Sequence, residues 1–112
     1  MSKKTRYCFA CDLKNDERSI AAYKAYHKEV WPEILKSIKD AGIIDMEIYI
    51  HANRLFMIME VNEDFDMDRK AQSDAENPKV KEWEELMWGY QQALPSAEKG
   101  QKWVAMERIF KL

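Results

Sequence analysis

Glycine and proline are scarce in this chain of 112 residues, with 3 of each, and cysteine is scarcer still, with 2. So little glycine and proline leaves little room for a phosphate-cradling glycine-rich loop or for long structureless loops. Net charge is nearly absent too, since 18 Lys and Arg stand against 20 Asp and Glu. Without a large positive field, nucleic acid held through its phosphates is excluded as a partner. Charged residues make up 34% of the chain and are spread too evenly for a membrane span. Apolar residues make up 46%, too many for a disordered tail.

What is present suits one small core. A chain of this length buries roughly two-thirds of its unfolded surface, so residues 1–112 read as a single domain. Cys8 and Cys11 form a C-x-x-C, but they fall inside Tyr7-Cys8-Phe9-Ala10-Cys11-Asp12-Leu13, which reads as a strand. Residues three apart in a strand point to opposite faces, so the sulfurs diverge and are expected as buried thiols rather than a redox pair or half a zinc site. Reduced thiols, and a charged start at Met1–Arg6 with no apolar run after it, lead to the expectation of a cytoplasmic protein.

Along the chain, a first strand covers Thr5–Leu13, and Lys14-Asn15-Asp16 supplies capping side chains for a long helical segment toward Ala41. Ile20, Tyr23, His27, Val30, Trp31, Ile34, Leu35 and Ile38 recur near every 3.6 residues, with a kink or restart expected at Trp31-Pro32. Gly42 sits where a helix-ending glycine belongs. Strands Ile43–Ile50 and Leu55–Val61 follow as a hairpin around His51–Arg54. An acidic stretch, residues 62–68, leads to a short turn of helix, and Asn77-Pro78 opens another helix expected to run to Leu94. A last strand is expected over Lys102–Phe110.

The order β-α-β-β-α-β is that of an α+β, ferredoxin-like sandwich. Leu55-Phe56-Met57-Ile58-Met59 is apolar on both faces, and a strand apolar on both faces needs cover on both. Two helices cover one side. The other is expected to meet a second copy, making a homodimer in the form of a dimeric α+β barrel.

Tyr23, His27 and Trp31, spaced four apart, share one helical face. Such a stripe serves core packing, with the histidine satisfied by a backbone carbonyl. It equally serves a sugar, whose C–H face packs on aromatic rings while phenol and imidazole exchange hydrogen bonds with its hydroxyls. Imidazole also moves protons in both directions near neutral pH. From spacing alone, both accounts stand.

With Tyr23-x-x-x-His27-x-x-x-Trp31-Pro32-Glu33, the opening strand, the Ile48-Tyr49 strand and the Trp83 helix, nearly the whole chain resembles the L-rhamnose mutarotase family. The resemblance implies a small cytoplasmic isomerase that interconverts the α and β anomers of L-rhamnose or a related 6-deoxyhexose on a dimeric barrel. It implies His27 as proton donor, Tyr23 as a substrate-binding tyrosine, and Trp83 as the first of two sugar-binding tryptophans. Met46 stands where the family pattern has a further tyrosine, and Glu84 where it has the second tryptophan, with Trp88 one turn on. Trp31 and Tyr49 complete the candidate substrate-binding set. Anomer exchange needs a proton delivered to the ring oxygen and one removed from the anomeric hydroxyl. His27 is expected to deliver the first, and Tyr23, or a water it holds, to relay the second. No metal or cofactor is expected. Two other classes keep the same fold: a cofactor-free monooxygenase or haem-handling protein, and a binding module in which Tyr23, His27 and Trp31 only pack.

Overall fold

The computed structural model describes residues 5–112. Strand β1 (Thr5–Leu13) leads into helices α1 (Glu17–Lys28) and α2 (Pro32–Asp40), then the hairpin of β2 (Ile43–His51) and β3 (Arg54–Val61). Helices α3 (Met67–Glu76) and α4 (Pro78–Trp88) follow, and two short strands, β4 (Gln91–Gln92) and β5 (Val104–Ala105), complete the order. The sheet is antiparallel in the order β2-β3-β1-β4, with β5 also on β1. This is the ferredoxin-like α+β arrangement expected.

Local chemistry sets the element boundaries. Asp16 caps α1, its carboxylate accepting from the Ser19 amide at 2.7 Å and the Ser19 hydroxyl at 3.0 Å. The long helical segment breaks in two because Pro32 brings no amide and holds Trp31 extended, at φ −57° and ψ 137°. Pro32 then opens α2 at its first turn. Helix α2 ends at Gly42, whose φ of +96° suits glycine alone: a Cβ there would stand 2.6 Å from Asn62 Oδ1.

Alternation along the strands divides the sheet into two faces. Cys11, Leu13 and Leu55 meet Tyr23, Ile34, Val80, Trp83 and Met87 of the helices in the main core. A second cluster of Ile43, Met59 and Val61 lies with Phe9, Met46 and Phe65. Cys8 and Cys11 do fall on opposite faces as free thiols, but only Cys11 is buried, Cys8 being half-buried. Burial pushes the Cys11 thiol up to about 12. One extra residue in β2 shifts the register between Ile43 and Asp45, so Ile44 does not join Met46, Ile48 and Ile50 against the helices. It is 49% exposed.

The other face carries no helix. Its register pairs are Arg6 with Glu60, Cys8 with Ile58, Ala10 with Phe56 and Asp12 with Arg54, with Tyr49 beside Phe56. Arg6–Glu60 at 2.9 Å and Arg54–Asp12 at 2.8 Å are ion pairs at its two ends. Between them β1 and β3 are apolar, and Glu47 of β2 lies beside Ile58.

Three expectations are corrected. The acidic stretch leads not to a short turn but to a ten-residue helix, because Asp66 caps it, accepting from the amides of Asp68 and Arg69. Helix α4 stops at Trp88 rather than near Leu94: after Gly89 the chain turns, and Gln91–Gln92 pairs with Leu13 and Asp12 on the free edge of β1. The last strand is two residues long, not nine. Ala105 and Val104 pair with Phe9 and Ala10, the Met106 amide donates to the Cys8 carbonyl at 2.8 Å, and then the chain leaves β1. Ile109 and Phe110 stand 89% and 76% exposed, because the chain departs from the β1 edge before that edge ends at Thr5.

Candidate functional site

Helix α1 places Tyr23 and His27 one turn apart on the side facing α4, and their rings lie 4.4 Å apart, tilted by 32°. Trp83 of α4 meets the His27 ring at 5.6 Å, edge-on, and meets Trp31 from the junction between α1 and α2. Tyr26 closes the group, at 6.2 Å from Trp83 and 6.0 Å from Tyr90. The histidine therefore stands in an aromatic wall built by two helices and the break between them.

Its chemistry follows from one bond. His27 Nδ1 lies 2.9 Å from the Tyr23 carbonyl oxygen, and a carbonyl only accepts, so Nδ1 carries a hydrogen. In the neutral ring the lone pair is then on Nε2. Nε2 makes no hydrogen bond among the described residues, and no buried side-chain nitrogen or oxygen there lacks a partner, so Nε2 reaches solvent. Burial of the ring holds its pKa below the ordinary 6.5, against the opposing pull of the Tyr23 carbonyl. At neutral pH the ring is therefore a base with an open lone pair.

Tyr23 is only 4% exposed, and burial pushes its phenol up to about 12. Its hydroxyl oxygen accepts from Gln91 Nε2 at 3.3 Å. The phenol stays protonated throughout the neutral range.

Of the residues singled out from the sequence, Tyr23, His27, Trp31 and Trp83 come together. The other four do not. Met46 is half-buried on the helix-facing side of β2, but in the second cluster with Ile43, Met59 and Val61. Tyr49 lies on the uncovered face, 53% exposed, donating its hydroxyl to Glu47 at 3.1 Å. Glu84 and Trp88 share the outer side of α4. Lys102 joins them there, 3.9 Å from the Glu84 carboxylate and 5.5 Å from the Trp88 ring centre. Trp88 thus does not stand in for a second tryptophan beside Trp83. Glu33 lines a groove of about 710 Å³ between α2 and α3, with Lys36, Asp40, Arg69 and Lys70. None of the aromatic group lines that groove.

Gln91 and Tyr26 were missed. Tyr26 falls off the four-residue stripe of its helix, and Gln91 lies in a segment whose pattern reads as helix. The signal for Gln91 was the Gly89 just before it, a residue that weakens a helix interior.

Comparison with known proteins gives the geometry its context. A family profile described as L-rhamnose mutarotase matches residues 6–112. An L-fucose mutarotase of Xanthomonas campestris pv. campestris is 45% identical over 109 residues, covering 96% of this chain and 87% of that protein. An L-rhamnose mutarotase of Formosa agariphila is 30% identical over 92 residues, covering 80% and 83% of the two chains. The crystal structure of an L-rhamnose mutarotase from Formosa agariphila superposes with a TM-score of 0.71 at 27% identity, covering 96% of this chain and 98% of that one. Tetracenomycin F2 cyclase from Streptomyces glaucescens, at 17% identity and a TM-score of 0.61 over 96% of both chains, shares the fold alone. With its aromatic-walled histidine inside a match that runs over almost its full length, the chain belongs to the L-rhamnose mutarotase family.

Proposed function

We propose that the protein is a cytoplasmic, homodimeric isomerase that interconverts the anomers of a 6-deoxyhexose, with His27 moving the proton at the anomeric hydroxyl. The observation that carries this is His27 Nδ1 on the Tyr23 carbonyl at 2.9 Å, which leaves Nε2 open beside Trp83 and Trp31. Nε2 takes the anomeric O–H proton as the C1–O5 bond breaks, and O5 takes a proton from the Tyr23 phenol, directly or through a water. The open aldehyde rotates about C1–C2. The 5-hydroxyl then adds to the other face of C1, returning its proton to Tyr23, while His27 returns its own to the new anomeric oxygen. This order starts from a base where the sequence suggested an acid. Over a full cycle the imidazole both accepts and donates. Each proton leaves and returns, so no net acid, base or redox partner is consumed.

The sugar is expected to be L-fucose ahead of L-rhamnose, because the relative named for L-fucose is 45% identical and the one of Formosa agariphila named for L-rhamnose 30%. The dimer is supported by the uncovered sheet face: Cys8, Ala10, Phe56 and Ile58 of β1 and β3 form an apolar strip with ion pairs at its ends and the bonded Tyr49–Glu47 pair of β2 along its side, the make-up of an interface core and rim. Exposed Ile109 and Phe110 beyond β5 support it further. No helix among the described residues is long and apolar enough to cross a membrane. Saturation-transfer NMR of anomer exchange, run with L-fucose, L-rhamnose and unrelated aldoses, tests the function. Faster exchange of the 6-deoxyhexoses than of the others supports it. No acceleration of any of them overturns it.

A further inference from the structure

Gln91 sits in β4 beneath α1, 5% exposed, where a carboxamide has little reason to be for packing alone. Its backbone pairs with Leu13, which fixes its place on the edge of β1. Its side chain crosses to α1 and donates Nε2–H to the Tyr23 hydroxyl oxygen at 3.3 Å. A phenol oxygen that accepts this bond keeps its own hydrogen. Tyr23 makes no donation to any group among the described residues, so that hydrogen has no protein acceptor. Cys11, buried in the same core, and His27, stacked on the Tyr23 ring, are the other titratable groups facing the phenol.

We infer that Gln91 is a positioning residue for the reaction: by donating to the Tyr23 oxygen it fixes the phenol as the donor toward the sugar ring oxygen. This rests on the mutarotase reading of the site. Two effects follow. The amide N–H occupies one lone pair, so the O–H is turned away from Gln91 and is left free to donate to the sugar ring oxygen. The same N–H supports negative charge on the phenol oxygen as its proton moves away, which is when that support counts for rate. A deep polar side chain that merely filled space would do neither.

The polarity of the bond makes the inference testable. Gln91→Glu has nearly the same shape but offers a carboxylate, which accepts and draws the Tyr23 hydrogen away from the sugar. Gln91→Leu removes the bond. Both variants are expected to lower exchange about five- to tenfold or more. In a Tyr23→Phe background, Gln91→Leu should change exchange less than twofold, because Phe has no hydroxyl to position. Alongside, the ¹³Cζ resonance of Tyr23, identified by its loss in Tyr23→Phe, should move in Gln91→Glu with the rest of the spectrum intact. An unmoved Tyr23 resonance overturns the inference, as does an equal Gln91→Leu loss with and without the Tyr23 hydroxyl. If Tyr23→Phe and His27→Ala both exchange at the wild-type rate, the reading of the site itself falls. If they are slow while both Gln91 variants are not, only the role of Gln91 falls.

Discussion

Trp31 and Trp83 meet edge to face, with ring centroids 5.1 Å apart and planes at 72°. One comes from the break between α1 and α2, the other from the middle of α4, so this pair ties the two halves of the helical layer together at the wall of the candidate site. Aromatic pairs of this geometry contribute roughly 0.5–1.5 kcal/mol beyond the area they bury. Trp83→Ala should therefore cost about 3–5 kcal/mol of stability. A urea midpoint close to that of the wild type would show that the wall does not brace the fold.

His27→Ala removes the open lone pair and leaves the Trp31–Trp83 ring contact in place. Acid–base groups of this kind typically contribute about 10²- to 10⁴-fold, so the variant should lose most of the enzymatic exchange. Saturation-transfer rates measured against the uncatalysed background decide it, and unchanged exchange would refute the assignment.

The pH profile follows from the direction of the His27 shift. Burial holds the folded pKa below 6.5, so the ring is neutral at pH 7 and becomes charged only in more acid solution. A base acting at the anomeric hydroxyl then predicts kcat/KM flat at neutral pH and falling as pH drops, with a midpoint below 6.5. An imidazole that began as the acid would give the opposite slope. Stability carries the same sign. The unfolded chain takes up the proton first, so the His27 contribution is complete above 6.5 and declines as pH falls toward the folded pKa.

The uncovered sheet face offers a separate test. Tyr49 and Phe56 are paired across β2 and β3 on that face, away from His27. By light scattering after size exclusion, the wild type should run at the mass of the proposed dimer and Phe56→Asp at that of one chain. Tyr49→Phe should leave anomer exchange within about twofold, because loss of one exposed hydrogen bond is worth little.

The hydrophobic patterns in the sequence carried most of the fold and only half of the candidate site. Tyr23, His27 and Trp83 were legible because a 3.6-residue repeat and a favourable Asn77-Pro78 helix start leave few alternatives for where those rings point. Gln91 was not. Its segment has apolar residues at helical spacing, and only the free edge of β1, a partner distant in sequence, turns it into strand. For Tyr49 the residue pattern left pocket lining and packing beneath the helices both open, and the alternation of β2 puts it on the uncovered face instead. The last strand is a different case: strand propensity runs through Trp103–Phe110, but the chain leaves β1 after Met106 although the edge continues to Thr5, and local pattern does not set that departure.

The extra residue in β2 sets a parity condition on this stretch of chain. Ile43 must face the helices just after the Gly42 turn, and so must Ile48 and Ile50 before the hairpin, yet seven positions separate Ile43 from Ile50. An odd count cannot satisfy both ends of a two-residue repeat without one residue stepping out of line, and Ile44 is the one that does. Excising Ile44 would leave an unbroken ladder with Asp45 outward and Met46 inward, whereas excising a single residue between Met46 and Ile50 would restore the even count only by turning Asp45 toward the helices and Met46 away from them.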